Sequence, residues 1–404
     1  MTQGATNAVI VATVSEVGEE AVPFRPRQRG ERFPRTNLDP FPRMPLARWM
    51  LRLLFALPLL ATAIIVYVFG QPIDATPNAT LVERVSAVQW DRADPDWLGQ
   101  IYPPISTLLA TFVPGGRFGL AVLGALAGGI FLQKLAEILV QREFHRSTSV
   151  ILMIALAANP LFLYTATENV SGFLGLMFFG LATADMVRFF TWGNTQSGFR
   201  AGLSFMMAAL TDLTGFLFVV TALITAPFLR LRRNHQRGAR WANVLVIVYP
   251  TAASIGALML LNVAFLSTPI GAVGDQVLAG AADRFAALPA QFSGLTGWLL
   301  IAPVLSAWLC ALLVGRFRLI PVSALVFLGI VGAEVAGLVP AGSVGNTYIL
   351  MTVLAIALIP SAKSRLNVVL LNAVAFLQLL IAWAVAFDSP TTLEWMMTLR
   401  DAFG

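Results

Sequence analysis

One cysteine, Cys310, and two histidines, His145 and His235, are all that the 404-residue chain offers of the residues that staple or ligate. A lone thiol excludes a disulfide scaffold, and so small a His and Cys complement excludes a zinc site. Charge is equally scarce. Asp, Glu, Lys and Arg make up 12% of the chain, against about 25% in a soluble domain. With 57% hydrophobic residues and a mean hydropathy of +0.76, an ordinary water-soluble globule is excluded. No phosphate-cradling Walker pattern occurs, so ATP-driven transport has no support. The many-span series of buried acids that a proton pump needs is missing too.

What is present is a series of long apolar runs separated by short basic patches, the pattern of an all-α polytopic membrane protein. Eleven hydrophobic helices are predicted, over 47–69, 117–140, 148–166, 170–190, 201–212, 214–229, 241–266, 296–314, 319–339, 346–361 and 366–387. A full crossing takes about 20 residues, so 201–212 and 214–229 read as a bent hairpin, tolerable where protein surrounds the turn. Residues 1–46 form a separate, basic, proline-rich region with no apolar period, which predicts a disordered cytoplasmic tail that touches anionic headgroups. The first long apolar stretch begins after residue 46, too late for a cleavable signal peptide. Two segments between spans are long, 70–116 and 267–295, and 276–288 reads as a short amphipathic helix.

Charge sets the expected orientation. With the N-terminus inside, all but five of the 27 Lys and Arg residues fall on the inner side, the five being Arg84, Arg92, Arg117, Arg284 and Arg400. The net charge of +6 is then a matter of membrane orientation rather than nucleic-acid binding. An inner (plasma) membrane protein with a cytoplasmic N-terminus and an extracytoplasmic C-terminus is the expectation.

The first outer segment holds Trp90-Asp91-Arg92-Ala93-Asp94-Pro95-Asp96-Trp97, then Ile101-Tyr102-Pro103-Pro104. Carboxylates crowded beside low-dielectric material acquire raised pKa values, which suits a general base or acid. A solvated acidic loop that obeys the charge rule is the plain alternative. In the second outer segment Arg284 is placed to pair with a phosphate or simply to be exposed. Glu168 and Asn169 fall at the turn between spans three and four, Asp212 at the turn of the short hairpin, and Glu334 near the outer end of span nine. Ionisable groups there are functional candidates. Asp185 and Arg188 read as an ordinary helix-face pair. Asn78-Ala79-Thr80 and Asn169-Val170-Ser171 fit the glycosylation sequon.

The chain resembles the GT-C class of membrane glycosyltransferases in four stretches in a consistent order. They are Asp91, Asp94 and Asp96 followed by Tyr102-Pro103-Pro104 and the apolar helix Ile105 to Phe112; Asn159-Pro160-Leu161-Phe162-Leu163-Tyr164 with Glu168 and Ser171-Gly172; Ala201-Gly202-Leu203 through Gly215-Phe216-Leu217 to the basic cluster Arg230, Arg232 and Arg233; and Leu261-Asn262 to Thr268-Pro269-Ile270. The resemblance implies a GT-C-like core over 47–290, with C-terminal helices and a short tail over 291–404. It implies transfer of a sugar from a polyprenyl-phosphate carrier to a glycan, glycolipid or protein outside the cytoplasm. Asp94, Asp91 or Asp96 would serve as general base, and Arg92, Arg117 or Arg284 would meet the donor phosphate. Tyr102, Glu168 and Asp212 would bind substrate. A divalent metal among the three aspartates, or none, is left open. Asp212 stands where many relatives carry a basic residue, and Ser267-Thr268-Pro269 where they carry Gly-Asp-Pro. A catalytically silent subunit of a polysaccharide assembly complex is therefore one alternative, and a transporter or lipid flippase the other.

Overall fold

The computed structural model describes residues 40–404 apart from 71–72, 75, 91–94, 193–194, 226–238, 270–278, 316, 318, 340–348, 350–351, 353–363 and 403–404. The described residues form helices and no strand. Five helices are long and apolar enough to cross a membrane, or six if a bent pair counts as one span. Three shorter apolar helices, Leu213–Ile224, Gly297–Leu313 and Ser323–Val335, accompany them. The chain is thus a helical membrane protein. The expected span at 346–361 and most of the basic tail lie outside the described residues.

Helix α1 (Pro45–Ile64) continues through a π-helical turn, Ile65–Phe69, into the first long connection. That connection is folded. It contains α2 (Pro77–Ala87), a 3-10 helix (Pro95–Gln100) and α3 (Pro104–Phe112). Then follow α4 (Gly116–Gln141), α5 (Arg146–Ala157), α6 (Pro160–Glu168), α7 (Val170–Trp192), α8 (Thr195–Thr211) and α9 (Leu213–Thr225). The remainder is α10 (Ala239–Leu266), α11 (Ala281–Ser293), α12 (Leu295–Leu313), α13 (Leu319–Val335), α14 (Arg365–Asp388) and α15 (Pro390–Asp401). The amphipathic helix expected at 276–288 begins at Ala281 and packs on α12 and α13.

Lipid is as apolar as leucine, so helices in a membrane associate through close packing rather than water exclusion. Glycines on α4 show this. A side chain at Gly124 would strike the Ala166 carbonyl of α6, and one at Gly129 the Arg52 carbonyl of α1. Helix α4 accordingly meets α1, α2, α5, α6 and α7. Phe131, Phe162 and Phe173 interlock at the α4–α6–α7 junction with centroids 5.4–6.5 Å apart. The apolar window of α7 is 72% buried and that of α10 only 11%, so α7 is central and α10 peripheral. Trp241, Leu245, Tyr249, Leu260 and Phe265 of α10 are exposed, as a lipid-facing surface requires.

Polar side chains gather at the two ends of the bundle. At the tail end, the Phe41 amide donates to Glu137 and its carbonyl accepts from Gln133, which also accepts from Arg52. Asn372 of α14 joins Thr148 and Ser147 of α5. Asp185 is more than a helix-face partner. Its carboxylate bridges Arg188 at 3.0 Å and Arg200 of α8 at 2.9 Å, and Arg188 also donates to Gln141 of α4. Helix α8 starts at Thr195, ahead of the expected residue 201, because the polar turn that carries Arg200 joins this clamp.

Removing one partner of a largely buried ion pair strands the others. Asp185→Ala is expected to lower stability by about 2 kcal/mol, read as a fall in the thermal midpoint of the purified protein. An unchanged midpoint would show that the clamp is incidental.

Candidate functional site

The site is built where helices break. The α5–α6 pair bends by 52° at Ala158-Asn159, α6 gives way to α7 at Asn169, and α8 to α9 at Asp212. A break frees backbone groups that lipid cannot satisfy. Each break carries a side chain that does so. Asn159 Oδ1 accepts from the Leu161 amide at 2.9 Å, with Pro160 at the first helical position, where its missing N–H is harmless. Asn169 Oδ1 accepts from the Gly172 amide at 3.1 Å. Asp212 Oδ2 accepts from the Thr214 amide at 3.1 Å.

The first long connection supplies a further group. Asn78, in α2, donates through Nδ2 to the Thr167 carbonyl at 2.7 Å and accepts at Oδ1 from the Val170 amide at 3.0 Å. One amide therefore bridges the end of α6 and the start of α7. Helix α2 forms there because Thr76 caps it, accepting from the Ala79 amide, and Pro77 follows at the first position. Asn78 and Asn169 are each 1% exposed. Both sequon asparagines are thus buried in the fold, and neither is a glycosylation acceptor in this state.

The same helix brings Arg84 inward. Its Nη2 donates to Thr107 of α3 at 2.9 Å, while its Nε is buried and unpartnered. Burial pushes the guanidinium below its ordinary pKa, and the Asp212 carboxylate acts in the opposite sense. Asp212 is buried. Besides Thr214 it meets the Ser171 hydroxyl at 3.5 Å. A side chain at Gly175 would approach the Asp212 Cβ to 2.8 Å, so glycine there gives the aspartate its room. Tyr102 donates to the Ala209 carbonyl at 2.9 Å, one turn before Asp212. Burial raises the Tyr102 phenol, and the Asp212 charge adds to that rise. Arg84, Tyr102, Thr107, Ser171 and Asp212 thus make one polar nest under the connection.

Glu168 lies in a neighbouring nest. It is 1% exposed, and its Oε2 accepts from the Tyr67 hydroxyl at 2.8 Å. The remaining expected groups are dispersed. Arg117 pairs with the exposed Asp74 at 3.0 Å. Arg284 donates through Nε to the Val335 carbonyl at 2.8 Å, capping the end of α13 beside Gly337. Glu334 lies in that last turn of α13. Asp91, Arg92 and Asp94 lie outside the described residues, and Asp96 is placed by its backbone alone, in the 3-10 helix. The residues that flank this acidic segment are placed. The Trp90 and Trp97 rings meet with centroids 5.5 Å apart, and the 3-10 helix packs on α10. Among the described residues no three His, Cys, Asp or Glu gather as a metal ion would need.

The sequence marks Asn78 only as part of a sequon and Arg84 only as an outer basic residue, and neither as a site residue. The Thr76-Pro77 start signal could have placed both on a helix, though not against partners 89 residues or more away for Asn78. Comparison with family models, with curated proteins and with solved structures finds no match to this chain.

Asn78→Ala removes two buried hydrogen bonds and leaves an amide and a carbonyl unserved. A loss of about 2–3 kcal/mol is expected, measured as a lowered thermal midpoint.

Proposed function

We propose that the chain is a GT-C-type integral membrane glycosyltransferase, which moves a sugar from a polyprenyl-phosphate carrier to an extracytoplasmic glycan, glycolipid or protein. The supporting observation is the Trp90–Trp97 contact, which joins the residues on either side of the acidic segment, together with the packing of the 3-10 helix on α10. Such a placement suits a base that must meet a donor whose lipid tail stays in the bilayer. In this reading the cytoplasmic side carries the basic residues of the tail and short loops, and the membrane is the inner (plasma) membrane.

In the reaction, a carboxylate of Asp94, Asp91 or Asp96 takes the proton of the acceptor hydroxyl as its oxygen attacks the anomeric carbon. The bond from that carbon to the carrier phosphate breaks on the opposite face, inverting the centre. The carrier phosphate departs with the bonding electron pair, and a nearby cation lowers the barrier by meeting that charge. Arg84, which keeps a buried Nε without a partner and lies in the field of Asp212, joins Arg92, Arg117 and Arg284 as a candidate for that cation. Tyr102 and Asp212 would position substrate.

A transporter is the second reading, favoured by one observation. Helices broken at Asn159, Asn169 and Asp212, with Glu168 and Asp212 buried at the breaks, are also how secondary transporters build substrate sites.

Reconstituted protein given a polyprenyl-phosphate sugar separates the two. Asp94→Asn should lower turnover by about 100-fold or more, with insertion and yield intact. If Asp91, Asp94 and Asp96 can each be replaced with turnover preserved, the base is misassigned. Sugar counterflow with no glycosidic product would select the transporter. Arg84→Gln should reduce kcat by about 100-fold and leave KM nearly unchanged.

A further inference from the structure

The first turns of α1 hold an arginine that is fixed in place without an anionic partner. Helix α1 carries two arginines, Arg48 and Arg52, and no acid. Arg52 Nε donates to Gln133 Oε1 of α4 at 3.1 Å, and its guanidinium lies over the Trp49 ring, 4.6 Å from the centroid. Gln133 is itself held, donating to the Phe41 carbonyl and to Glu137. Glu137 pairs with Lys134 at 3.1 Å instead. Among the described residues the two Nη groups of Arg52 have no hydrogen-bond partner, and neither is sealed inside the protein. Arg48 lies one turn earlier, half-buried and without an ion pair to a described residue.

The surroundings of this pair face lipid. The α1 span begins at Pro45, and its apolar window is only 22% buried. Arg52 stands about 10 Å along the helix from that start, within the interfacial layer that tryptophan favours. Trp49, Leu53 and Leu57 follow at four-residue intervals on one face and are 56%, 54% and 57% exposed. An acyl chain laid along that stripe brings its headgroup to Arg48 and Arg52. A guanidinium with both Nη groups open is a fork that matches phosphate oxygens. The phosphate of a zwitterionic lipid comes with its own ammonium. Two arginines with no acid on their helix therefore favour a headgroup of net negative charge.

We propose that Arg48, Arg52 and Trp49 form a site for one anionic phospholipid, its phosphate on the two guanidinium groups and an acyl chain along Trp49, Leu53 and Leu57. The site lies on α1 itself, apart from the headgroup contacts expected of the preceding tail. It does not depend on glycosyl transfer.

The test uses the full chain labelled with 5-fluorotryptophan, with the Trp49 fluorine signal assigned through Trp49→Phe. Nanodiscs of phosphatidylcholine receive increasing fractions of phosphatidylglycerol. A saturable shift of the Trp49 signal is expected, and Arg52→Gln should weaken the apparent affinity about tenfold, the worth of one charge-assisted hydrogen bond. Arg48→Gln should weaken it too, and serves should Arg52→Gln fail to fold. Arg365→Gln, which removes an exposed cation at the same end on α14, should leave it unchanged. An unmoved signal, or a shift that Arg365→Gln weakens equally, would overturn the site. A shift reproduced by millimolar inorganic phosphate in pure phosphatidylcholine discs would overturn the lipid as occupant. A shift lost when Arg25, Arg27, Arg29, Arg32 and Arg35 become glutamine, with Arg52→Gln silent, would assign the contact to the tail and overturn the site on α1.

Discussion

A helix that stops inside an apolar medium exposes amides and carbonyls that nothing around it can satisfy, and this constraint organises the loop end of the bundle. At Asn159, Asn169 and Asp212 the residue at the break turns its own side chain onto the next helix's first amides. At the α6–α7 break that is not enough, and Asn78 reaches in from a different part of the chain to serve the Thr167 carbonyl and the Val170 amide. The first long connection is therefore a structural member of the bundle. Once α2 is fixed by Asn78, Arg84 is carried to Thr107 and into the field of Asp212.

The two ends of the molecule handle charge differently. At the tail end Asp185 is shared between two arginines and Glu137 sits with Lys134, so charge is compensated within a few ångströms. At the loop end Glu168 and Asp212 are buried with hydroxyl and amide partners, and Arg84 keeps a buried N–H without one. Buried ionisable groups with so little direct compensation lower stability and are retained in proteins mainly where they act.

Hydropathy made most of the helical framework legible. The apolar runs expected at 117–140, 170–190, 241–266 and 366–387 lie within α4, α7, α10 and α14. The expected run 148–166 resolves into α5 and α6, since Asn159-Pro160 ends one helix and starts the next. Helices α2 and α15 escaped, because neither is apolar along its length; their readable signals were the starts Thr76-Pro77 and Ser389-Pro390. Glu168 and Asp212 were readable as ionisable groups at span ends. The Arg84–Thr107 contact and the Asn78 bridge were not, because they join residues distant in sequence through side chains that composition does not mark. The acidic segment at the heart of the enzyme reading falls largely outside the described residues.

Hydrogen exchange at individual backbone amides, followed by NMR on deuterated protein in nanodiscs, tests the central constraint most directly. The amides of Leu161, Val170, Gly172 and Thr214 should exchange as slowly as amides within the helices, and in Asn78→Ala the Val170 amide alone among them should lose its protection. Rapid exchange of Val170 and Thr214 in the unaltered protein would contradict the account, because the breaks would then be served by solvent and the connection would have no hold on them.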